Sequence, residues 1–248
     1  MRRVKRRIFS GSICEQMVYN IGDRVRDVGA AQPRRPRFAS EEERAAHREG
    51  ISRRRHIRTF NATFSPASLY STLTFSDEEE VHTFAEARRL RDNFVRRLRY
   101  VCPESRLRLY MGRGRHTSRI HMHMVSDGIP EEIIRSRWIY GRVERVEHLR
   151  EHNWQDGQDL GQDYTGLANY LFDHWTPEQG GHHWKQAGRF NQPEEEPARE
   201  IVREYSIERP PAAPKGYRFL EASATRYGYL YFKYVKIVEP ARRPGRRC

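Results

Sequence analysis

Two histidines one residue apart, His121 and His123, sit in the run RIHMHMV that spans residues 119 to 125. Side chains on a strand alternate faces, so both imidazoles are expected on one side while Ile120, Met122 and Met124 take the other. The apolar set can then face a core and leave the imidazoles toward a cleft. Two nitrogen ligands at that fixed separation suit one divalent cation, with coordination sites left for water or a phosphate oxygen. Taken alone, the pair also fits two exposed or hydrogen-bonded histidines that bind nothing.

A second chemistry-bearing segment is YTGLANYLFDHW, from Tyr164 to Trp175. At about 100° per residue, Leu167, Leu171, Tyr164, Tyr170 and His174 fall within one arc of about 120° on a helix, so both tyrosines border its apolar stripe. A phenol with a pKa near ~10 is a poor nucleophile at neutral pH. A neighbouring cation that screens negative charge removes much of that handicap. Either tyrosine equally fits an amphipathic ring at the edge of a core.

Arg113, Arg115 and Arg119 flank the histidine strand and suit phosphate contacts, with solvated hairpin arginines as the alternative. Thr72 and Thr74 occupy alternate positions of an earlier strand, which strand propensity explains as well as a place lining the cleft does. The segment GGHHWKQAGRF, 180 to 190, adds His182, His183, Trp184, Lys185 and Arg189, a mix able to stack bases and neutralise phosphates of single-stranded DNA. Its adjacent histidines face opposite sides of any strand and so make no metal pair.

Periodicity gives the elements that must position these groups. LYSTLTFS, from Leu69, alternates and is rich in β-branched and aromatic residues, as a half-buried strand should be. Asp77 and Glu78 to Glu80 are expected to open a helix carrying Val81, Phe84, Phe94, Val95 and Leu98, its late arginines matching the macrodipole. RLRLYM, 106 to 111, and RIHMHMV, joined by GRGRHTS, read as an antiparallel hairpin. Pro130 starts the helix PEEIIRSRW. A polar, proline-rich and acidic stretch then leads to a final pair of strands, the last being YGYLYFKYVKIV, 227 to 238.

Mixed strands and helices with short links predict an α+β fold, a central antiparallel sheet with packed helices. Three segments follow: a basic, partly ordered arm over 1–62, a core over 63–192, and an acidic, proline-rich linker with a C-terminal hairpin and basic tail over 193–248.

Lys plus Arg number 46 against 33 Asp plus Glu in 248 residues, a net charge of +13. Most of the excess is N-terminal, in RRVKRR, PRRPR and SRRRHIR, and attracts polyanions such as nucleic acid or an acidic membrane surface. No stretch of about 18 apolar residues occurs and the opening lacks a signal-peptide core, so no membrane partner is expected and the chain reads as intracellular. The three cysteines lack any CxxC spacing, against a disulfide framework or cysteine zinc site. Without GxxxxGK[ST] there is no nucleotide-hydrolysing motor. The acidic run 194–208 reads as solvated, with docking of a host partner as the alternative.

TLTFS, the helix ending NFVRRLRY, RIHMHMV after a basic loop, Trp138 with the following Gly141, and YTGLANYLFDHW resemble, in that order, phage and plasmid rolling-circle replication initiators. These are the HUH endonucleases, and the likeness is to replication-associated proteins related to filamentous-phage gene II protein. It extends roughly from Arg2 to Val238, but only the HxH strand and the tyrosine helix are functionally specific. The resemblance implies an RRM or ferredoxin-like plan and a metal-dependent enzyme that nicks and rejoins one DNA strand. His121 and His123 would hold Mg2+ or Mn2+, and Tyr170, with Tyr164 in reserve, would form a 5′-phosphotyrosine. Implied partners are single-stranded or hairpin origin DNA and a separate helicase, in the cytoplasm of a bacterial host. Two departures stand out. Asp173 occupies the place of a common lysine, and Gly112 that of an acidic third metal ligand, which leaves that ligand unassigned. They leave room for a non-catalytic DNA-binding replication or origin-recognition protein with a degenerate HUH site.

Overall fold

The computed structural model describes residues 2–21, 40–77, 81–114, 119–176, 182–225 and 228–238. The chain opens with strands β1 (Arg2–Ser10) and β2 (Ile13–Ile21), followed by helix α1 (Glu41–Thr63), β3 (Leu69–Phe75), α2 (Phe84–Val101), β4 (Arg106–Arg113), β5 (Ile120–Asp127), α3 (Glu131–Arg137) and β6 (Gly141–His148). A short ribbon of β7 (Trp154–Gln155) and β8 (Gln158–Asp159) precedes α4 (Thr165–Phe172). Then come β9 (Lys185–Ala187), β10 (Glu194–Glu195), β11 (Arg199–Glu200), β12 (Tyr217–Ala224) and β13 (Leu230–Lys236). The fold is α+β, with antiparallel sheets and, among the described residues, four helices. No helix among them is long and apolar enough to cross a membrane.

The chain divides into two units, one of residues 36–151 and 164–193, the other of 1–35, 152–163 and 194–248. The first holds the histidine strand. Its sheet runs β6-β3-β5-β4-β9 with every neighbouring pair antiparallel, which puts β5 in the middle. Alternation sorts the side chains. Leu73, Leu109, Met122 and Met124 go to one face and are buried there against Phe94 and Leu98 of α2 and Ile134 of α3. Burial of each such side chain stabilises the fold by about 1.5–3 kcal/mol. Tyr70, Tyr110 and Val125 go to the other face, under Phe60 and Phe64 of α1 and its C-cap and Ala168 and Leu171 of α4.

Helix α2 starts later than its acidic run suggests. Glu78 to Glu80 lie outside the described residues, and the helix begins at Phe84 behind a reciprocal capping box. The Glu86 amide donates to the Thr83 hydroxyl at 3.2 Å, and the Thr83 amide donates to the Glu86 carboxylate at 3.2 Å.

The second unit changes the reading of the N-terminal sixty residues. RRVKRR is not an arm but strand β1, in a sheet ordered β10-β1-β2-β13-β12, with β11 also pairing β1. Its alternation of Val4 and Ile8, both buried, with long basic residues hid the strand among the charges. The acidic run supplies β10 and β11 and lies along the same strand. Arg6 pairs with Glu195, Arg2 with Glu200 at 3.8 Å, and Arg7 with Glu196 at 3.8 Å. SRRRHIR falls inside α1, and PRRPR lies outside the described residues. Within this unit Cys14 is fully buried beside Val18, Phe232 and Tyr234, and burial pushes its thiol pKa up to about 12, so it stays protonated. Lys233, itself buried, meets Asp163 at 2.5 Å and stands opposite Glu15 and Glu221 in the ladders.

Gly141 opens β6 against Phe75 of β3, at a spacing that admits no side chain. A Cβ there would overlap the Thr74 carbonyl oxygen and come within 2.6 Å of the Ser76 nitrogen. In α4, a Cβ on Gly166 would meet nothing within 4 Å. Urea titration of Gly141→Ala should show a loss of about 2 kcal/mol or more. Gly166→Ala should gain about 0.5–1 kcal/mol by removing a helical glycine. Equal effects would refute the close approach of β6 to β3.

Candidate metal centre

Cross-strand register builds the site on the mid-sheet strand. His123 lies between Thr72 of β3 and Tyr110 of β4, and His121 between Thr74 and Gly112, so the two imidazoles share one face as the HxH spacing predicts. A third imidazole joins them. His174, two residues beyond α4, brings its Nε2 to 3.1 Å from His123 Nε2, which is itself 3.1 Å from His121 Nε2. One ligand nitrogen from each ring lies within 4.8 Å of the others, a group able to hold a metal ion.

Hydrogen bonds at the far side of the rings set what those nitrogens can offer. His174 Nδ1 is 2.8 Å from the Tyr170 carbonyl oxygen, which can only accept, so Nδ1 carries the proton and Nε2 presents its lone pair. The same hydrogen bond satisfies a carbonyl that the end of α4 would leave without a partner. His123 Nδ1 is 2.7 Å from the Tyr70 hydroxyl and 3.4 Å from Thr72 Oγ1. Burial, and then the neighbouring imidazoles, lower the His123 pKa to about 3 and that of His121 below its usual value. Both rings are therefore neutral at pH 7, the form in which imidazole ligates a metal. His121, His123 and His174 would hold a cation through these three nitrogens, and the donor set fits that group.

Gly112 explains how the third ring enters. A Cβ on Gly112 would lie 2.8 Å from His174 Cδ2, closer than real side chains approach. The position that lacks the expected acidic ligand is thus the gap through which another ligand reaches the site. The sequence put His174 on the arc of Tyr170, four residues further on, without marking it as a ligand.

The two tyrosines of this segment part company. Tyr170 is half exposed, its ring centroid 5.8 Å from that of His123 and 4.3 Å from that of His174. Tyr164, the reserve nucleophile by sequence, is built into the core instead. It is the N-cap residue of α4, its hydroxyl donates to the Arg150 carbonyl at 3.1 Å, and burial drives its pKa well above the phenol range. They lie at opposite limits of the arc, and only the Tyr170 limit reaches the histidines.

Helix α4 is braced from beneath. His56 of α1, fully buried, has Nε2 3.2 Å from the Ala168 carbonyl, so Nε2 donates and Nδ1 accepts from Arg108 Nη1 at 2.9 Å. Arg108 also donates to Gln186 Oε1 at 2.9 and 3.0 Å and lies over the rings of Trp184 and Phe190. Desolvation, then Arg108, lowers the His56 pKa to about 3.

The remaining sequence candidates scatter. Arg119, ion-paired with Asp77, lines a groove of about 480 Å³ with His121, Thr74, Arg142 and Glu144. Arg113 is turned toward α2, its guanidinium 5.0 Å from the Phe84 ring centre, and Arg115 lies outside the described residues. Lys185 pairs with Asp92 of α2 at 3.4 Å, and Arg189 is exposed. Trp184 packs on His56 rather than offering a free platform, and His183 stacks on Phe172 and Trp175, while His182 is exposed. Thr72 and Thr74 do line the site. Comparison with protein families, with curated proteins and with solved structures finds no match to this chain.

Titration of chelator-treated protein with Co2+, followed by its visible absorption, should show one ion per chain. His174→Ala and Gly112→Ala should each weaken binding by about 10-fold or more, since even an outer partner of a ligand commonly carries that much. Wild-type affinity in His174→Ala would refute the three-imidazole set.

The His56 shift also fixes a pH dependence. Its folded pKa lies below the unfolded value of about 6.5, so its contribution to stability is fully present above that pH. It is lost as pH falls toward about 3. Urea-unfolding free energies between pH 7 and pH 4 should therefore fall for the wild type and fall less steeply for His56→Gln.

Proposed function

We propose that the chain is a metal-dependent single-strand DNA endonuclease of the HUH type that initiates rolling-circle replication. The observation that carries this reading is the convergence of three imidazole nitrogens beside one half-exposed tyrosine ring. Strand order supports it as well. Elements β3, α2, β4, β5, α3 and β6, with strands arranged β6-β3-β5-β4, follow the ferredoxin-like βαββαβ plan, with the histidines on an inner strand.

A divalent cation bound at these nitrogens would draw charge from a non-bridging phosphate oxygen and so stabilise the transition state. Three nitrogen donors favour Mn2+ or another first-row transition metal over Mg2+, which prefers oxygen ligands and keeps its water. Tyr70 and the Tyr170 carbonyl orient His123 and His174 toward that role. Tyr170 gives its proton to solvent as its oxygen bonds phosphorus. The bond from phosphorus to O3′ breaks, and O3′ leaves with the electron pair and takes up a proton. The product is a 5′-phosphotyrosine and a free 3′-hydroxyl. Because the linkage is still a phosphodiester, attack by a 3′-hydroxyl reverses the step without another energy source. Asp173, where the initiators that the chain resembles commonly carry lysine, is held by Arg53 at 2.6 Å, so its charge is compensated.

The substrate in this reading is single-stranded or hairpin origin DNA in a bacterial cell, with unwinding left to a separate helicase. A second reading, DNA binding without scission, draws on the missing lysine at position 173.

Supercoiled plasmid carrying the replicon's own origin separates the two. With Mn2+ the wild type should yield relaxed circles and a covalent protein–DNA adduct, and chelator, His121→Ala or Tyr170→Phe should abolish both. Binding without nicking supports the second reading. An adduct that survives in Tyr170→Phe rules out that nucleophile.

A further inference from the structure

Arg96 and Arg97 of α2 and Arg137, the last residue of α3, line a pocket of about 510 Å³ with Asn93, Tyr100 and Val101. It belongs to the helix layer packed on the Met122 and Met124 face, the face opposite the histidines. No carboxylate lines it, and none of the three guanidinium groups has an ion-pair partner among the described residues. Arg96 donates to the Asn93 side chain. Arg97 lies over the Tyr140 ring, 5.1 Å from its centre, and its Nη1 is buried with no hydrogen-bond acceptor. Tyr100, one turn further along α2, is 89% exposed.

Three like charges that share a pocket repel one another, and a buried donor without an acceptor is a standing cost. A bound oxyanion relieves both. Guanidinium presents its donors as a planar fork that matches two oxygens of a phosphate. An exposed aromatic ring beside phosphate-binding cations is the pairing that holds single strands, the cations taking the backbone and the ring a base.

We propose that this pocket is a second nucleic-acid binding site, in which Arg96, Arg97 and Arg137 clamp a backbone phosphate of a single strand and Tyr100 stacks on a neighbouring base. The pocket works without the metal centre. It would hold a strand whether or not the histidine face cuts one.

The test is anisotropy of a labelled oligothymidylate titrated with the full chain in EDTA, over a range of salt. Arg96→Gln/Arg97→Gln/Arg137→Gln should bind about 10-fold more weakly at low salt. Its slope of log affinity against log salt should be shallower by about 0.7 for each phosphate that the variant no longer neutralises. Tyr100→Ala should bind about 5-fold more weakly or worse with the slope unchanged. Arg137→Gln alone, at an exposed helix end, should show a smaller change of slope and guards against misfolding of the triple variant. EDTA keeps the titration independent of the cation on which cleavage depends, so failure of the cleavage reading leaves this test standing. Unchanged affinity and slope in the triple and single arginine variants would overturn the proposal. So would loss of tripolyphosphate binding with oligonucleotide binding intact, which would give the pocket to a free phosphate compound.

Discussion

Three imidazole nitrogens within 4.8 Å of one another are a costly arrangement, and the first unit is organised so that it cannot relax away. Two of the rings are fixed by a strand paired on both sides, where a change of register would turn them to the opposite face. The third is delivered by a helix end, which has far more freedom. That freedom is removed at two places. The carbonyl of Tyr170 captures the His174 ring, and the carbonyl of Ala168 is held by His56, which Arg108 of the neighbouring strand holds in turn. Buried polar groups of this kind stabilise little unless fully satisfied, but they specify one geometry. The tyrosine and its neighbouring histidine move together because both belong to that helix and its end.

How much of this was legible in the sequence depends on how many constraints bear on each residue. The alternation of Ile120, His121, Met122, His123 and Met124 depends on strand geometry alone, and the side that each takes was readable residue by residue. The choice between Tyr164 and Tyr170 was half readable. Helical angles put both at the stripe, and only the sheet beneath shows that one limit is roofed and the other open. His174 stands on that arc, yet nothing in the sequence marks it as a ligand, because the pattern places a third donor at an acid near Gly112. A glycine reads as an absence in sequence, whereas here it is the clearance that a ring requires.

Charge misleads in the other direction. A run such as RRVKRR looks solvated because its basic residues outnumber Val4 and Ile8, although both of these are buried on a strand paired along its whole length with β2. The acidic residues that compensate it lie nearly two hundred positions away, and no local rule connects them. Exposed pairs of this kind contribute little each. They do reduce how much of the net positive charge is available to a polyanion, so composition overstates the basic surface. The arginines of α2 and α3 that lack such partners are a better guide to where a polyanion would sit.

The segment 152–163 leaves the histidine-bearing unit and returns to it at the first residues of α4, and its last residue, Asp163, is buried against Lys233 near the C-terminus. A gene shortened after residue 193 would encode every histidine and tyrosine of the metal centre and yet strand that carboxylate without its ammonium. Removing one member of a buried pair commonly costs about 3–5 kcal/mol. The histidine-bearing unit is therefore not a cassette that can be lifted out by trimming the ends. Evolution by fusion or loss of terminal pieces would have to replace the lysine before it could discard the tail.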